Sequence, residues 1–414
     1  MTDARGAGRR IVVLSVNHLR HEGRILTGGA EKYALQTIQA LLDVGARVHI
    51  AFSGESIYDG LIRMHGRGRV TLEETGWINE AMSGDSRLEI GTILNRRRWF
   101  RQREGDTVLA IQQGGGGSFA ASLVAGRLLG LRVISSIRQL PNPLPSATHD
   151  DRPAIPRGFG LWRKRLIWRR RIPAWCCDAL IFNSKRVEAA HHRLYRHPRG
   201  RTRIIYNGEP SYPRPAGGRI PCRIACVGRV TEAKGADVLL EAFGRIAARH
   251  PDAVLSYFGD GPLIPTLESR AERLGLSGRV EFAGFRSNRD DIFRQVDICV
   301  QPSIRESMSN SVVEAMARGI PCVVTDVGGL PETIDHGVSG FVVPPSEAGP
   351  TAEAISRLLS DREQYRRFSN AAVARARRAF SLERVMAETV DTILGPERRK
   401  FRMGQSSGDF ARSS

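Results

Sequence analysis

The stretch from residue 296 to residue 325 constrains the fold of this chain most, because it reads as a strand, a loop, a helix and a second strand in immediate succession. Residues 296–300 form a short apolar run of the kind that is typical of a buried strand. Residues 303–310 indicate a loop, a helical pattern starts at Ser311, and residues 320–325 are β-rich. Units of this kind place ligands at the carboxyl ends of parallel strands.

Two carboxylates belong to this unit: Glu306 lies in the loop and Glu314 in the first turns of the helix. An ionised carboxylate only accepts hydrogen bonds, so the pair suits a ligand rich in hydroxyl groups, such as a ribose and a second sugar. Two alternatives stay open. Ser311 and Glu314 also fit a capping box, in which Glu314 bonds to a backbone N–H at the helix start. Glu306 also fits a solvated loop acid, since acidic residues are mostly exposed.

Length and composition limit the classes of protein that this chain can form. A chain of 414 residues indicates two domains, and 41% hydrophobic with 25% charged residues is typical of a globular protein. The formal net charge of +19 favours a polyanionic partner, which is nucleic acid, an anionic bilayer or a phosphate-bearing small molecule. The six cysteines are scattered without paired zinc spacing, so we expect reduced thiols and no structural metal. No apolar run approaches the roughly 18 residues of a membrane-spanning helix.

Strand and helix patterns alternate along the chain, which predicts an α/β protein with two doubly wound Rossmann-like domains. We expect a first domain at 1–208, a linker rich in Pro and Gly at 209–221 and a second domain at 222–380. A final helix is predicted at 381–395, and the polar, basic segment 396–414 is predicted to be disordered.

Two loops between a predicted strand and a predicted helix suit a bound anion. Gly28 and Gly29 precede a helix predicted at 30–43, whose free N–H groups favour an anion, although a tight turn explains two glycines equally well. Arg229 and Lys234 follow the first strand of the second domain. There, charge-assisted donors and the helix dipole act together on a diphosphate. Loop cations that are simply solvated are the alternative.

The segment 158–175 interleaves apolar and cationic side chains at a spacing that a helix allows. Such a helix suits the interface of an anionic bilayer. It also suits a phosphate backbone with aromatic stacking, or a packed helix whose charges are solvated. The residues that would form a membrane or acceptor surface are Trp162, Arg163, Lys164, Trp168, Arg169, Arg170 and Arg171.

The run ESMSNSVVEAMARGIPCVVTDVGGLPE at 306–332 resembles the signature of the retaining glycosyltransferases of family four, whose fold is called GT-B. In the first half, TGGAEK at 27–32, IFNS at 181–184 and YNG at 206–208 carry the resemblance. The resemblance implies two Rossmann-like domains that face a central cleft. The first would bind the acceptor and the second the nucleotide sugar, with the last helix crossing back to the first domain.

The resemblance also implies an activity. A hexose would move from a UDP- or GDP-sugar to a glycan or lipid-linked acceptor of the cell envelope, with retained configuration and without a metal or other cofactor. The implied catalytic residues are Glu306, Arg229 and Lys234. The implied donor-binding set adds Gly29, Ser309, Asn310, Ser311 and Glu314. In this set the two cations and the backbone amides at 309–311 would neutralise the diphosphate. Glu314 would hold the ribose, and Glu306 the hydroxyls of the transferred sugar.

One position departs from the family pattern. Many members carry a histidine near the end of the strand predicted at 132–136, where it contacts the donor sugar, and Arg138 occupies that place here. Arg138 and His18, the latter in the first loop, are therefore the candidate sugar or acceptor contacts.

The expected setting is a cytoplasmic protein of polysaccharide assembly, peripheral on the inner face of the cell membrane, with no nucleic-acid partner. Two alternatives remain open. A sugar-nucleotide epimerase of the same fold would form product without an acceptor. A basic nucleic-acid-binding protein without enzymatic activity would bind with steep salt dependence.

Overall fold

The computed structural model describes residues 6–16, 20–21, 24–25, 29–53, 56–75, 77, 89–112, 119–141, 171–212 and 221–395. Some sequence predictions lie outside the described residues. They concern His18, Gly28, the part of the Trp- and Arg-rich segment that precedes Arg171, residues 213–220 of the linker, and the segment 396–414.

The first domain is built on a parallel sheet. The domain contains the strands β1 (Arg10–Val16), β2 (Arg20–His21), β3 (Arg24–Ile25), β4 (Arg47–Ser53), β5 (Val70–Glu74), β6 (Thr107–Gln112), β7 (Arg132–Ile137), β8 (Ala179–Phe182) and β9 (Thr202–Ile204). Strands β2 and β3 form a separate short antiparallel pair, and the other seven form the parallel sheet. The seven-stranded sheet has the order β5-β4-β1-β6-β7-β8-β9, and all its pairings are parallel. Near-continuous apolar strands of this kind require helices on both faces.

Helices cover both faces of this sheet. They are α1 (Gly29–Asp43), α2 (Asp59–His65), α3 (Ile90–Arg101), α4 (Ala120–Leu128) and α5 (Lys185–Tyr195). Along β1 the side chains alternate: Ile11 and Val13 pack with α1, while Val12 and Leu14 pack with Phe100 of α3 on the opposite face. The sequence patterns left α2, β5 and α3 unassigned.

The second domain repeats this plan with six strands. They are β10 (Arg223–Val227), β11 (Val254–Phe258), β12 (Val280–Phe282), β13 (Ile298–Gln301), β14 (Cys322–Thr325) and β15 (Gly340–Val343). The order β12-β11-β10-β13-β14-β15 is again parallel throughout. The cysteines are free thiols, and Cys226, Cys299 and Cys322 are buried within this sheet as small apolar side chains.

The helices that follow the linker are α6 (Ala236–Ile246), α7 (Ile264–Arg273), α8 (Arg289–Phe293), α9 (Asn310–Ala317), α10 (Leu330–Thr333), α11 (Ala348–Ser360), α12 (Arg362–Ala379) and α13 (Leu382–Leu394). All but α13 surround the second sheet or its loops. The prediction of two doubly wound α/β domains is therefore confirmed.

The last helix, α13, returns to the first domain. Its buried side chains, among them Val390 and Ile393, pack into the core that α1 and β1 form. Arg132 of β7 closes the end of α13, since its guanidinium donates to the carbonyls of Thr392 and Ile393, each at 2.9 Å. The chain passes between the domains twice, once near Glu209 and once near Phe380. These two passages run side by side, because the N–H of Glu209 donates to the carbonyl of Phe380 at 2.8 Å.

Across the ranges that the structure describes, we find no helix with the length and apolar character that crossing a membrane requires.

Replacing Ile393 with Ala tests whether α13 is part of the first domain's core. Ile393 is fully buried, so we expect a loss of about 2–5 kcal/mol in unfolding free energy. We also expect faster amide hydrogen exchange in α1 and unchanged exchange in α9. Glu388→Ala, at an exposed position of the same helix, should change stability by less than about 0.5 kcal/mol. Faster exchange in α9 with protected amides in α1 would contradict this assignment.

Candidate functional site

The loop after β13 bridges the two domains. Ser307 Oγ donates to the backbone carbonyl of Arg138 at 2.8 Å, and Arg305 donates to the carbonyl of Pro141 at 2.9 Å. Asn207, at the end of the first domain, donates through Nδ2 to Oδ1 of Asn310 at the start of α9. The carboxyl ends of β7 and β13 therefore face each other, and this is where parallel sheets bind ligands.

Lys234 and Glu306, which the sequence assigned to one site, form an ion pair in the second domain. Lys234 comes from the turn after β10, and Glu306 from the loop after β13. Oε1 of Glu306 also accepts a hydrogen bond from the backbone N–H of Ser307 at 3.1 Å. Only 11% of the Glu306 side chain is exposed. The alternative interpretation of Glu306 as a solvated loop acid is therefore wrong.

Two glycines fix the loops that carry this pair. Gly235 follows Lys234 with a φ of +64°, and a Cβ there would lie 2.0 Å from the carbonyl oxygen of Pro302. Gly328 has a φ of +49°, and its Cβ would lie 1.6 Å from the carbonyl oxygen of Glu306. Only glycine combines this conformation with so close a backbone approach. The Gly-Gly pair of the 306–332 signature thus packs against the backbone of Glu306 and Ser307.

Arg229 lies on the same loop as Lys234 and is exposed. Within the part of the chain that the structure describes, no carboxylate pairs with Arg229. Its loop lies close to the turn after β11, since a Cβ on Gly259 would lie 2.1 Å from the carbonyl oxygen of Gly228. This arrangement leaves the guanidinium of Arg229 available to a ligand at the carboxyl end of β10.

Glu314 of α9 is the centre of an ion cluster that joins the domains. Its Oε1 accepts from Lys32 Nζ of α1 at 2.7 Å, and its Oε2 accepts from Nε of Arg289 at 2.7 Å and from Nη2 at 2.5 Å. Lys32 also pairs with Glu209 at 2.5 Å. The helix starts at Asn310 after Ser309, so Ser311 is not its capping residue. The capping-box interpretation of Glu314 is therefore wrong.

The cluster changes the pKa values of its members in opposite directions. Burial by itself would raise the pKa of Glu314, but Lys32 and Arg289 hold it below the ordinary value of 4.5. Burial would lower the pKa of Lys32, but Glu314 and Glu209 raise it above 10.5. Both groups are therefore charged at neutral pH. The sequence patterns did not identify Lys32, Arg289 or Glu209, because the pairing is visible only in three dimensions.

The start of α9 turns its serine side chains inward. Oγ of Ser309 and Oγ of Ser311 donate to Gln301 Oε1 at 3.2 and 3.1 Å. Free backbone N–H groups of the first turn then remain as the donors that a helix start offers to an anion. Gly29 of α1 lies against this helix, because a Cβ there would lie 2.5 Å from Nδ2 of Asn310.

Arg138 lies inside the first domain rather than on the wall of the cleft. It is 5% exposed, it stacks 3.3 Å above the ring centre of Tyr33, and its Nη1 donates to the carbonyl of Ile205 at 2.9 Å. Among the described residues its Nη2 has no hydrogen-bond partner. It is the backbone carbonyl of Arg138, bonded to Ser307, that faces the second domain.

Of the Trp- and Arg-rich segment the structure describes only Arg171 and the residues after it. Arg171 is half-buried at the start of a helical stretch at 171–176.

Models of known protein families match both domains. Residues 27–208 match the model described as Glycosyltransferase Family 4, and residues 221–361 match the model described as Glycosyl transferases group 1. Together the two matched ranges cover most of the chain and contain every predicted donor-binding residue.

Curated relatives match shorter stretches. The chain is 36% identical over 171 residues to an uncharacterized glycosyltransferase of Methanocaldococcus jannaschii, covering 41% of this chain and 43% of the relative. It is 31% identical over 150 residues to the N-acetyl-alpha-D-glucosaminyl L-malate synthase of Bacillus anthracis, covering 36% and 39%. The matched segment thus spans about two fifths of each of these relatives.

A solved structure matches over nearly the whole length. HepE of Anabaena, crystallised in complex with UDP, superposes with a TM-score of 0.71 at 17% identity, covering 93% of this chain and 99% of that chain. At this identity the match concerns the fold, and it confirms the prediction that the two domains have the GT-B arrangement.

The ion cluster predicts a defined pH dependence of stability. The pKa of Glu314 is depressed in the folded state, so its contribution is complete above 4.5 and is lost as the pH falls through the lower folded-state value. We expect Glu314→Gln to cost about 1–3 kcal/mol at pH 7. The stability difference between wild type and variant should stay constant from neutral pH to about pH 4.5 and shrink below it. Denaturant unfolding at several pH values measures this difference. A gap that already narrows between pH 7 and pH 6 would refute the depressed pKa.

Proposed function

Since the chain belongs to family 4 of the group 1 glycosyltransferases, we propose that it transfers a sugar from a nucleotide-diphospho-sugar to an acceptor hydroxyl. One observation above all supports this proposal. Lys234 and Glu306, a cation and an acceptor, meet at the carboxyl ends of β10 and β13 and close to the opposing domain. A diphosphate and a sugar ring need these two kinds of group side by side.

In the proposed donor complex, Lys234 leaves Glu306 and binds the diphosphate together with Arg229 and the N–H groups at the start of α9. The charge that develops on the departing nucleotide is then met by two cations and a helix dipole. Glu306 loses its ion-pair partner at the same time, so both its oxygens accept from hydroxyls of the transferred sugar. Because protein groups supply this positive charge, we propose that no divalent ion takes part in the transfer.

Glu314 is proposed to hold the ribose. An ionised carboxylate offers about four acceptor positions. In the ion cluster, one hydrogen bond from Lys32 and two from Arg289 occupy three of them. One position thus remains for a ribose hydroxyl. We propose UDP as the first nucleotide to test, because the HepE complex contains it.

We further propose that the sugar keeps its configuration. In this scheme the departing phosphate, held by Lys234 and Arg229, accepts the proton of the acceptor hydroxyl on the face that it leaves. The new bond then forms on that same face. The anomeric configuration of the product, read by NMR, tests this step.

For the acceptor, we propose a lipid-linked or cell-envelope glycan at the inner face of the membrane. The net charge of +19 and the Trp- and Arg-rich segment 158–175 support an anionic membrane surface as partner. On this proposal the chain is a peripheral protein that takes its donor from the aqueous phase and its acceptor from the membrane surface.

Substitution of the central pair tests the proposed donor site. We expect Glu306→Gln and Lys234→Met each to lower kcat for transfer about 100-fold or more, because each removes a group that meets the transition state. Both side chains keep partial contact with solvent, so the melting temperature should change by only a few degrees. Glu241→Gln, which breaks an exposed ion pair in the same domain, is the matched control and should retain full activity.

Two results would overturn the proposal. One is activity within a few-fold of wild type in Glu306→Gln or Lys234→Met. The other is conversion of the nucleotide sugar to an isomer in the absence of any acceptor, which would identify an epimerase. A preceding thermal-shift screen of nucleotide sugars selects the donor, since a ligand at 100 times its dissociation constant adds roughly 2.7 kcal/mol of stability.

Liposome flotation tests the membrane part of the proposal. We expect binding to anionic vesicles and not to neutral ones. Charge reversal of Arg169, Arg170 and Arg171 to Glu should weaken binding about tenfold or more, since each basic residue near an anionic surface contributes about 1 kcal/mol. The control reverses three exposed arginines of α12, namely Arg362, Arg366 and Arg377. Equal losses in both triple variants would show that only net charge matters and would contradict a specific membrane surface.

A further inference from the structure

Three potential metal ligands converge at the end of α5, away from the donor site. Glu188 and His192 lie one helical turn apart on the same face of α5, and His197 follows two residues after the helix ends. Each side chain offers one ligand atom, and these atoms all lie within 4.8 Å of one another. None of the three takes part in the proposed transfer of a sugar.

A turn in the backbone brings His197 back onto the helix. Arg196 adopts the left-handed conformation with a φ of +47°, and its N–H donates to the carbonyl of His192 at 2.8 Å. The ring of His197 then packs against Phe182 of β8, with 5.1 Å between ring centres, and edge-on to His192 at 5.0 Å. These contacts fix the orientation of the imidazole.

The hydrogen bond of His192 sets its tautomer. Its Nδ1 lies 3.1 Å from the backbone carbonyl oxygen of His197. Since a carbonyl oxygen only accepts, Nδ1 carries the proton, and the lone pair of the neutral ring is on Nε2. Histidines that bind metals are oriented in this way by a bond from the other ring nitrogen.

His197 provides the independent observation that points to a ligand. Only 2% of its side chain is exposed, and among the described residues neither ring nitrogen has a hydrogen-bond partner. Leaving such a group unsatisfied is costly. Its Nε2 faces Oε1 of Glu188 at a distance of 3.7 Å.

From this geometry we propose that Glu188, His192 and His197 bind one divalent transition-metal ion, and that this ion is zinc. Two imidazoles and a carboxylate are ligands that zinc accepts. Zinc–nitrogen and zinc–oxygen bonds near 2.1 Å place two ligand atoms of a tetrahedral site about 3.4 Å apart. The distance of 3.7 Å between Nε2 of His197 and Oε1 of Glu188 is only slightly longer than this. Small movements of the two side chains would therefore bring both atoms to bonding distance, and a water molecule would occupy the fourth coordination position.

The ion has a structural role in this proposal, which departs from the expectation, drawn from the cysteine spacing, that the chain holds no structural metal. It ties the last turn of α5 to the chain that continues into β9. The first turn of the same helix contacts the other domain, because the N–H groups of Lys185 and Arg186 donate to Glu332 at 2.9 and 2.8 Å. Zinc would thus stiffen a helix that carries part of the domain contact.

Zinc titration of the full, metal-stripped chain by calorimetry tests the proposal. The chain has ten histidines, so weak binding elsewhere must be separated from this site. We expect one zinc ion per chain in the wild type, and at least about tenfold weaker binding in Glu188→Gln and in His197→Asn. His250→Gln is the matched control, since the ring of His250 bonds to Ser356 in the other domain, and it should bind zinc as the wild type does.

Glu188→Gln decides the outcome even if the His197 variant fails to fold, because Glu188 is partly exposed and the substitution keeps its size. Unchanged zinc affinity in Glu188→Gln, or a wild type that binds no more tightly than His197→Asn, overturns the proposal and leaves His197 as the partner of Glu188 alone. Cobalt gives a second readout, because its visible absorption should show imidazole coordination in the wild type and not in His197→Asn. These measurements do not involve sugar transfer, so they fail independently of the donor site.

Discussion

The arrangement of the two domains depends on one buried carboxylate, Glu314, which is held by cations from both sides of the cleft. Only 3% of its side chain is exposed, and a buried charge is stable only while all its partners remain. Lys32, the partner from the first domain, is itself shared with the buried Glu209, which a third cation, Arg318, approaches to 3.6 Å. Separation of the domains at this point would leave two buried carboxylates short of a cation. The two buried carboxylates are therefore neutralised only while the domains remain in contact.

This cluster lies where the chain passes between the domains. The side chain of Glu209 accepts a hydrogen bond from Lys32. Its backbone forms hydrogen bonds with Phe380 and Leu382, on either side of Ser381, where the chain returns to the first domain. Other contacts along the cleft include the hydrogen bond of Ser307 to Arg138 and, at the start of α5, an exposed ion pair of Arg186 with Asp326. The ion pairs of buried carboxylates thus lie at the crossing points, while the ion pair of Arg186 with Asp326 is exposed.

The sequence predicted the architecture because parallel strands that are buried on both faces read as continuous apolar runs, as β1 and β13 do. It missed β5, whose side chains are only partly buried, and helix α3, which is rich in arginine. Within the site, the resemblance to the family-four signature grouped Lys234 with Glu306, and both residues follow strands of one sheet. It could not find Lys32, because a lysine on a helix is usually solvated and its partner Glu314 is 282 positions away. Arg138 was predicted from the position of a family histidine, and the structure buries its side chain against the ring of Tyr33, although arginine is rarely buried.

The two ion pairs at the site differ in how easily a ligand can replace them. Lys234 and Glu306 retain 25% and 11% exposure, so this pair is less deeply buried than Glu314, of which 3% is exposed. A diphosphate brings two negative charges, which attract Lys234 more strongly than the single charge of Glu306 does, and it can therefore displace Glu306 from this pair. Removing a partner from a buried pair costs about 3–5 kcal/mol, so Glu314 should keep its cations when a nucleotide binds. We infer that the first pair exchanges with the donor, while the second is a fixed wall against which the ribose is placed.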